Sequence, residues 1–174
     1  MLITSSFRLY IILILLLTLS ACSTIKKSMP WYRANAVDSI AVYVVPDPDL
    51  GYAINIDVVF IYQEVALTVL KTMSAQDWFQ QKDALLSAYG NQIDLLQWQI
   101  INGFGDNKKR LPNDRKQAIA VIAYANYPPN PNAKADLTTL SNPWLIFENG
   151  ELSAKTKSPA LSNETKNNDR NVNQ

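Results

Sequence analysis

The side chains able to do chemistry in this chain of 174 residues are few in kind: there is no histidine, and Cys22 is its single cysteine. Without an imidazole, Ser/His/Asp and Cys/His nucleophile systems, a His-ligated zinc and a His general base are all excluded. What remains is a carboxylate pair, a Ser/Lys pair or an oxygen-ligated metal. The one tight acidic cluster, Asp47-Pro48-Asp49, lacks the glycine-containing spacing of a calcium loop, and Asp and Pro are the residues a turn selects. Glu64, Asp83 and Asp94 stand at no spacing that suits an acid/base pair and read as solvated surface. Asn102-Gly103-Phe104-Gly105-Asp106-Asn107 contains glycines but no Lys-Ser/Thr after them, so it is not a phosphate loop. Lys108-Lys109-Arg110 reads as a charged loop tip, and Trp78, Phe79 and Trp98, large enough to line a groove, stand at helix or strand spacing and read as core. The expectation is a protein that is not an enzyme, with no cofactor and no metal.

The composition narrows the class further. Lys and Arg number 16 and Asp and Glu 15, leaving +1, without the basic excess of a nucleic-acid binder. With 48% hydrophobic and 18% charged residues the chain suits one globular domain, and a single cysteine cannot close an intramolecular disulfide. The cysteine has its own explanation. Residues 1–21 (MLITSSFRLYIILILLLTLSA) carry Arg8 as their only charge and an apolar run from Leu9 to Leu17, too short for a comfortable membrane span. Leu19-Ser20-Ala21-Cys22 closes that run and resembles the bacterial lipobox, in which the cysteine thiol receives a diacylglyceryl group and becomes the acylated first residue after cleavage. By that resemblance 1–21 is a lipoprotein signal peptide and Cys22 the lipidation site, with palmitate-type chains. Each buried acyl methylene contributes about 0.8 kcal/mol, so two or more chains anchor stably. Position 23 is Ser and not the Asp that retains enteric lipoproteins in the inner membrane, which implies the periplasmic face of the outer membrane.

Behind the cysteine, 22–35 lacks periodicity and reads as a tether, and the Asn-, Lys- and Ser-rich stretch 153–174 reads as a disordered tail. The candidate folded unit is 36–152. Within it Val37 to Val45 is a β-branched run stopped by Pro46, and Ile54 to Gln63 alternates with period two, so both predict strands. Glu64 to Met73 is ambiguous between strand and helix. Ser74-Ala75-Gln76-Asp77 resembles a capping box and opens a helix over 75–89, whose Trp78, Phe79, Leu85, Leu86 and Tyr89 form one apolar face expected to cover the edge or open end of a sheet. Leu95 to Ile101, Gln117 to Ala125 and Trp144 to Phe147 read as further strands, the second apolar on both faces and hence central. Asn149-Gly150 marks a type I′ hairpin. The fold class is mainly β, a sandwich with one inserted helical segment.

The order of these elements resembles the outer-membrane lipoprotein of type VI secretion systems, the TssJ family. The residues that carry the likeness are Val58-Val59-Phe60-Ile61-Tyr62-Gln63, Asp77-Trp78-Phe79 through Leu86, Asp94-Leu95-Leu96, Ala120-Val121-Ile122-Ala123-Tyr124 and Asn142-Pro143-Trp144. The resemblance implies a transthyretin-like sandwich that ties a membrane complex to the outer membrane by gripping the periplasmic C-terminal domain of a large inner-membrane partner. It also implies that the loop between the first two strands contributes, here Pro46, Asp47, Pro48, Asp49, Leu50, Gly51 and Tyr52. The residues alone also fit a pilotin or assembly lipoprotein of another envelope machine, type IV-like or secretin-based, or a periplasmic ligand-binding lipoprotein. Replacing the lipidation candidate tests the anchor: a Cys22→Ala protein is expected to leave the outer-membrane fraction, and its persistence there would refute the lipid as the sole tether.

Overall fold

The structure, a computed structural model, describes residues 34–48, 51–102, 105–106 and 109–157. The chain divides into two units, Met1–Arg33 and Ala34–Gln174, and the described residues belong to the second. Cys22 and the segment before it lie outside them, as does 158–174.

Among the described residues the strands are β1 (Ala41–Val44), β2 (Ile54–Ile61), β3 (Ile93–Ile100), β4 (Gly105–Asp106), β5 (Ala120–Asn126), β6 (Lys134–Asp136), β7 (Trp144–Glu148) and β8 (Glu151–Lys155). Helices α1 (Glu64–Thr72) and α2 (Ala75–Tyr89) follow β2, and a 3-10 turn over Arg115–Gln117 precedes β5. Two four-stranded sheets result, β4-β1-β7-β8 and β3-β2-β5-β6. Every neighbouring pair is antiparallel except β1 with β7, which run parallel from Ala41 opposite Trp144 to Val44 opposite Phe147. The mainly β sandwich with an inserted helical segment is thus observed.

The central strands of the second sheet determine what packs where. In β2, Ile54, Ile56, Val58 and Phe60 enter one buried cluster together with Val42, Val44, Leu145 and Phe147 of the other sheet. Val59 and Ile61, on the opposite face by the two-residue repeat, join Ile122 and Tyr124 of β5 in a second cluster with Ala66, Leu70, Trp78 and Leu85 of the helices. A sheet apolar on both faces needs cover on both, since each large apolar side chain withdrawn from water contributes about 1.5–3 kcal/mol. The helices therefore lie over the outer face of β3-β2-β5-β6, not over an edge or open end, and the described residues form three layers.

The ambiguous stretch after β2 is helix. Its i, i+4 residues Ala66 and Leu70 are buried, whereas Val65, which alternation would have turned inward, is exposed. Glu64 in the first turn and Lys71 in the last complement the helix dipole. At α2 the Ser74 Oγ accepts from the Asp77 N–H at 3.0 Å and donates to Asp77 Oδ2 at 2.6 Å. The capping box is completed through the hydroxyl because Asp is one methylene shorter than the usual Glu.

Several limits differ from the sequence reading. The run from Val37 yields a regular strand only over β1, because Asp38 and Ser39 donate to the Ser141 carbonyl outside any ladder. Asn35, placed in the tether by its neighbours, is buried, its amide donating to the Ala118 carbonyl at 2.8 Å and to the Arg115 carbonyl while its Oδ1 accepts from Val37 N. At the far end β8 continues to Lys155, past the expected limit at Leu152, because Leu145 and Trp144 still need partners in Ala154 and Lys155. The β7–β8 turn is as read: Asn149 and Gly150 have φ of 52° and 77°, both positive as a type I′ turn requires.

One charged group sits in the second cluster. Asp57, 1% exposed, projects from β2 towards α2, where its Oδ2 accepts from Trp78 Nε1 at 2.9 Å and pairs with Lys82 Nζ at 2.7 Å, while Oδ1 accepts from Gln97 Nε2 at 3.3 Å. Trp78 also stacks on Tyr124 at 5.2 Å between centroids, and the Tyr124 hydroxyl donates to the Leu70 carbonyl at 2.7 Å. Burial pushes the Tyr124 hydroxyl well above its usual pKa, so it stays a donor at any ordinary pH. Removing one member of such a pair leaves the other charge buried, so Lys82→Met is expected to cost about 3 kcal/mol in chemical denaturation. Asp57→Leu combined with Lys82→Met should recover part of that loss; a double variant as unstable as the sum of the singles would show the two residues to be uncoupled.

Candidate partner-docking loop

Loops β1–β2, β5–β6 and β7–β8 meet at one end of the sandwich, where the resemblance had placed the partner-binding residues. Pro46, Asp47 and Pro48 leave β1, and Gly51 and Tyr52 lead into β2. Asp49 and Leu50 lie outside the described residues. The loop is held from behind by Asn102, just past β3, whose Oδ1 accepts from Asp47 N at 2.9 Å and whose Nδ2 donates to the Asp47 carbonyl at 2.6 Å. Such two-way amide pairing mimics one rung of a ladder and fixes the loop's departure from β1.

At the other end of the loop Tyr52 stacks on Tyr127 with centroids 6.5 Å apart, and Tyr127 meets Phe147 edge-on at 5.2 Å. The aromatic series runs from a residue 49% exposed to one buried in the sandwich core. Gly150 completes the support: a Cβ there would meet Tyr127 Cε1 at 2.7 Å, so the hairpin turn needs glycine both for its positive φ and for the close approach of the ring. Asn130 Nδ2 donates to the Gly150 carbonyl at 2.9 Å, joining the β5–β6 loop to the same hairpin.

Beside Tyr127 opens a shallow groove of about 360 Å³, lined by Gln76, Phe79 and Gln80 of α2 and by Ala125 to Pro128. Its walls are aromatic, amide and prolyl, without a charged side chain. The structure thus gathers Tyr52, Tyr127 and Phe79 at this end, of which the sequence reading marked only Tyr52 as functional. Tyr127 stands directly before Pro128-Pro129, an available sign of an aromatic presented on a stiff turn. Asn102 carried no such sign, because its partner is 55 positions away.

The remaining polar candidates do not converge. Glu64 and Asp83 are exposed on the helices, and Asp94 accepts from the Tyr62 hydroxyl at 2.6 Å. Burial first, then that hydrogen bond and the charges of Asp94 and Asp114, hold the Tyr62 hydroxyl protonated far above its ordinary range. Among the described residues no group of His, Cys, Asp and Glu could hold a metal, and no helix is long and apolar enough to cross a membrane.

This architecture is similar to that of lipoproteins of type VI secretion. One is described as Lip of Serratia marcescens, a membrane-bound component of the type VI secretion system; it is 14% identical, with a TM-score of 0.45, over 69% of this chain and 96% of that one. Another is the type VI secretion lipoprotein TssJ1 of Pseudomonas aeruginosa, 12% identical with a TM-score of 0.45, over 71% of this chain and 97% of that one. No family model and no curated protein matches the chain.

If Asn102 sets the loop's conformation, Asn102→Ala should loosen 46–52 selectively. Hydrogen exchange is expected to accelerate about tenfold at Asp47 N–H, where one hydrogen bond is lost, and to stay unchanged in β2 and β5. Equal acceleration in all three places would mean global destabilisation instead.

Proposed function

We propose that this chain is a lipid-anchored, non-enzymatic subunit of a type VI-like secretion complex, held through Cys22 at the periplasmic face of the outer membrane. Its loop 46–52 docks the periplasmic C-terminal domain of a large inner-membrane protein. The observation that carries this reading is the loop fixed at both ends, by Asn102 at Asp47 and by Tyr127 under Tyr52, with an aromatic ring left half in solvent. Docking costs ordering entropy, and a loop whose ends are pinned and whose backbone is preset by Pro46 and Pro48 has less of it to lose. A half-exposed tyrosine over a rigid base is the type of residue that dominates binding energy at interfaces. The Cys22 motif and the ordered strand motifs from Val58 to Trp144 support the tethered, secretion-system context.

Cross-linked co-purification from the native host tests the proposal. Wild-type protein is expected to bring down a large inner-membrane protein with a periplasmic C-terminal domain, and Leu50→Asn with Tyr52→Ser should lower its recovery about tenfold or more at unchanged melting temperature. Undiminished capture by the folded double variant would remove the loop from the interface. Recovery of a secretin or a type IV-like core in place of that partner would overturn the type VI assignment.

A further inference from the structure

A second surface feature lies away from the docking loop, between the segment entering β1 and the loop preceding β5. There Asp38, Ser39 and Ile40 face Lys109, Arg110, Leu111, Asn113 and Arg115 across a cleft of about 330 Å³. That volume accommodates a small ligand or a headgroup. Lys109, Arg110 and Arg115 supply its cations, and its one carboxylate among the described residues, Asp38, is engaged by Lys116 Nζ at 2.6 Å. Asp114, next to Arg115 in sequence, is not part of the lining and acts on Tyr62. The cleft therefore carries a surplus of positive charge.

The cations are placed in different ways. Lys109, itself exposed, lies over the Trp98 ring at 5.3 Å and donates to the Gln97 carbonyl, which sets its ammonium on the β3 side. Arg110 Nη2 reaches Asn113 Oδ1 at 3.3 Å, a long contact, and the residue is exposed. Arg115 is anchored through its own backbone, whose carbonyl accepts from Asn35, and Nη1 approaches the Pro112 carbonyl at 3.5 Å. Its Nε is buried and has no hydrogen-bond partner. Leaving a buried charged donor unmade is costly, and a planar guanidinium with unspent donors is matched by a tetrahedral oxyanion.

We infer that this cleft binds a phosphate-type anion, either a free phosphate-bearing solute or the headgroup of an anionic phospholipid. Arg110 and Arg115 make the charge-assisted hydrogen bonds and Lys109 adds a fixed point charge. Ile40, buried, and Leu111, half-buried, give the apolar wall beside which those contacts are less screened.

The test uses the purified full chain. In nonionic detergent, inorganic phosphate titrated at constant ionic strength should raise the melting temperature saturably and slow phenylglyoxal modification of Arg110, read by peptide mass spectrometry. Arg115→Gln, and separately Arg110→Gln should Arg115→Gln fail to fold, is expected to weaken phosphate binding about tenfold, the loss of one charge-assisted hydrogen bond. The source is read in phosphate-free nanodiscs. Protection of Arg110 in phosphatidylglycerol-containing discs but not in pure phosphatidylcholine discs identifies a headgroup. Equal reactivity in both, with phosphate binding intact in detergent, identifies a free solute. No saturable effect of phosphate together with no protection in phosphatidylglycerol discs overturns the inference, as does phosphate binding that is unchanged in the folded variants.

Discussion

The sheet β3-β2-β5-β6 has apolar side chains on both faces of its two central strands, and the rest of the molecule follows from having to cover them. One face meets the second sheet and the other meets α1 and α2, which is why the helices follow β2 directly and why the stretch after it cannot stay extended. The price of the arrangement is a carboxylate, Asp57, on the covered face. It is tolerated because Trp78, Lys82 and Gln97 all reach it. Those contacts join strand, helix and edge strand at one point, so α2 has a registered position where an all-apolar face would allow it to slide.

The end of the sandwich that carries loop 46–52 depends on the same layers. Tyr127 leaves β5 just beyond its buried run, and its position over Gly150 and against Phe147 is set by the pairing of β7 with β8 and by the core between the sheets. Tyr52 thus rests on a ring whose place is decided by strands from both sheets. A loop supported in this way inherits rigidity from the scaffold at both of its ends.

What was legible in the sequence was what depends on neighbours along the chain. The alternation in β2, the all-apolar β5, the cap at Ser74 and the Asn149-Gly150 turn are local patterns, and each corresponds to an observed element. Glu64 to Met73 was undecidable because Val65, Leu67 and Val69 satisfy a strand while Leu67 and Leu70 satisfy a helical turn, and only the uncovered face of β2 and β5 chooses between them. Asn35 looked like linker because the carbonyls it bonds belong to residues about eighty positions on. Lys109 is exposed, as its charged run predicts, while its contacts with Trp98 and the Gln97 carbonyl come to it through the fold. At the end that carries loop 46–52, Tyr52 was visible from its loop and Tyr127 from the two prolines after it, whereas Asn102 acquires its place only through a contact 55 positions away.

The parallel pairing of β1 with β7 bears on how the domain comes to exist. Ala41 lies opposite Trp144, so the first strand made is completed by almost the last. Strands β2, β3 and β5 and the helices between them are closer neighbours along the chain and close smaller loops, which places them earlier in folding. During synthesis β1 must wait for its parallel partner until β7 has emerged, with only the two-residue β4 beside it, and a half-paired strand is exposed to wrong pairing and to proteases. A truncation before β7 would leave only β1 and β4 over the inner face of the helix-covered sheet, so the central strands depend on the last hairpin for cover on that side.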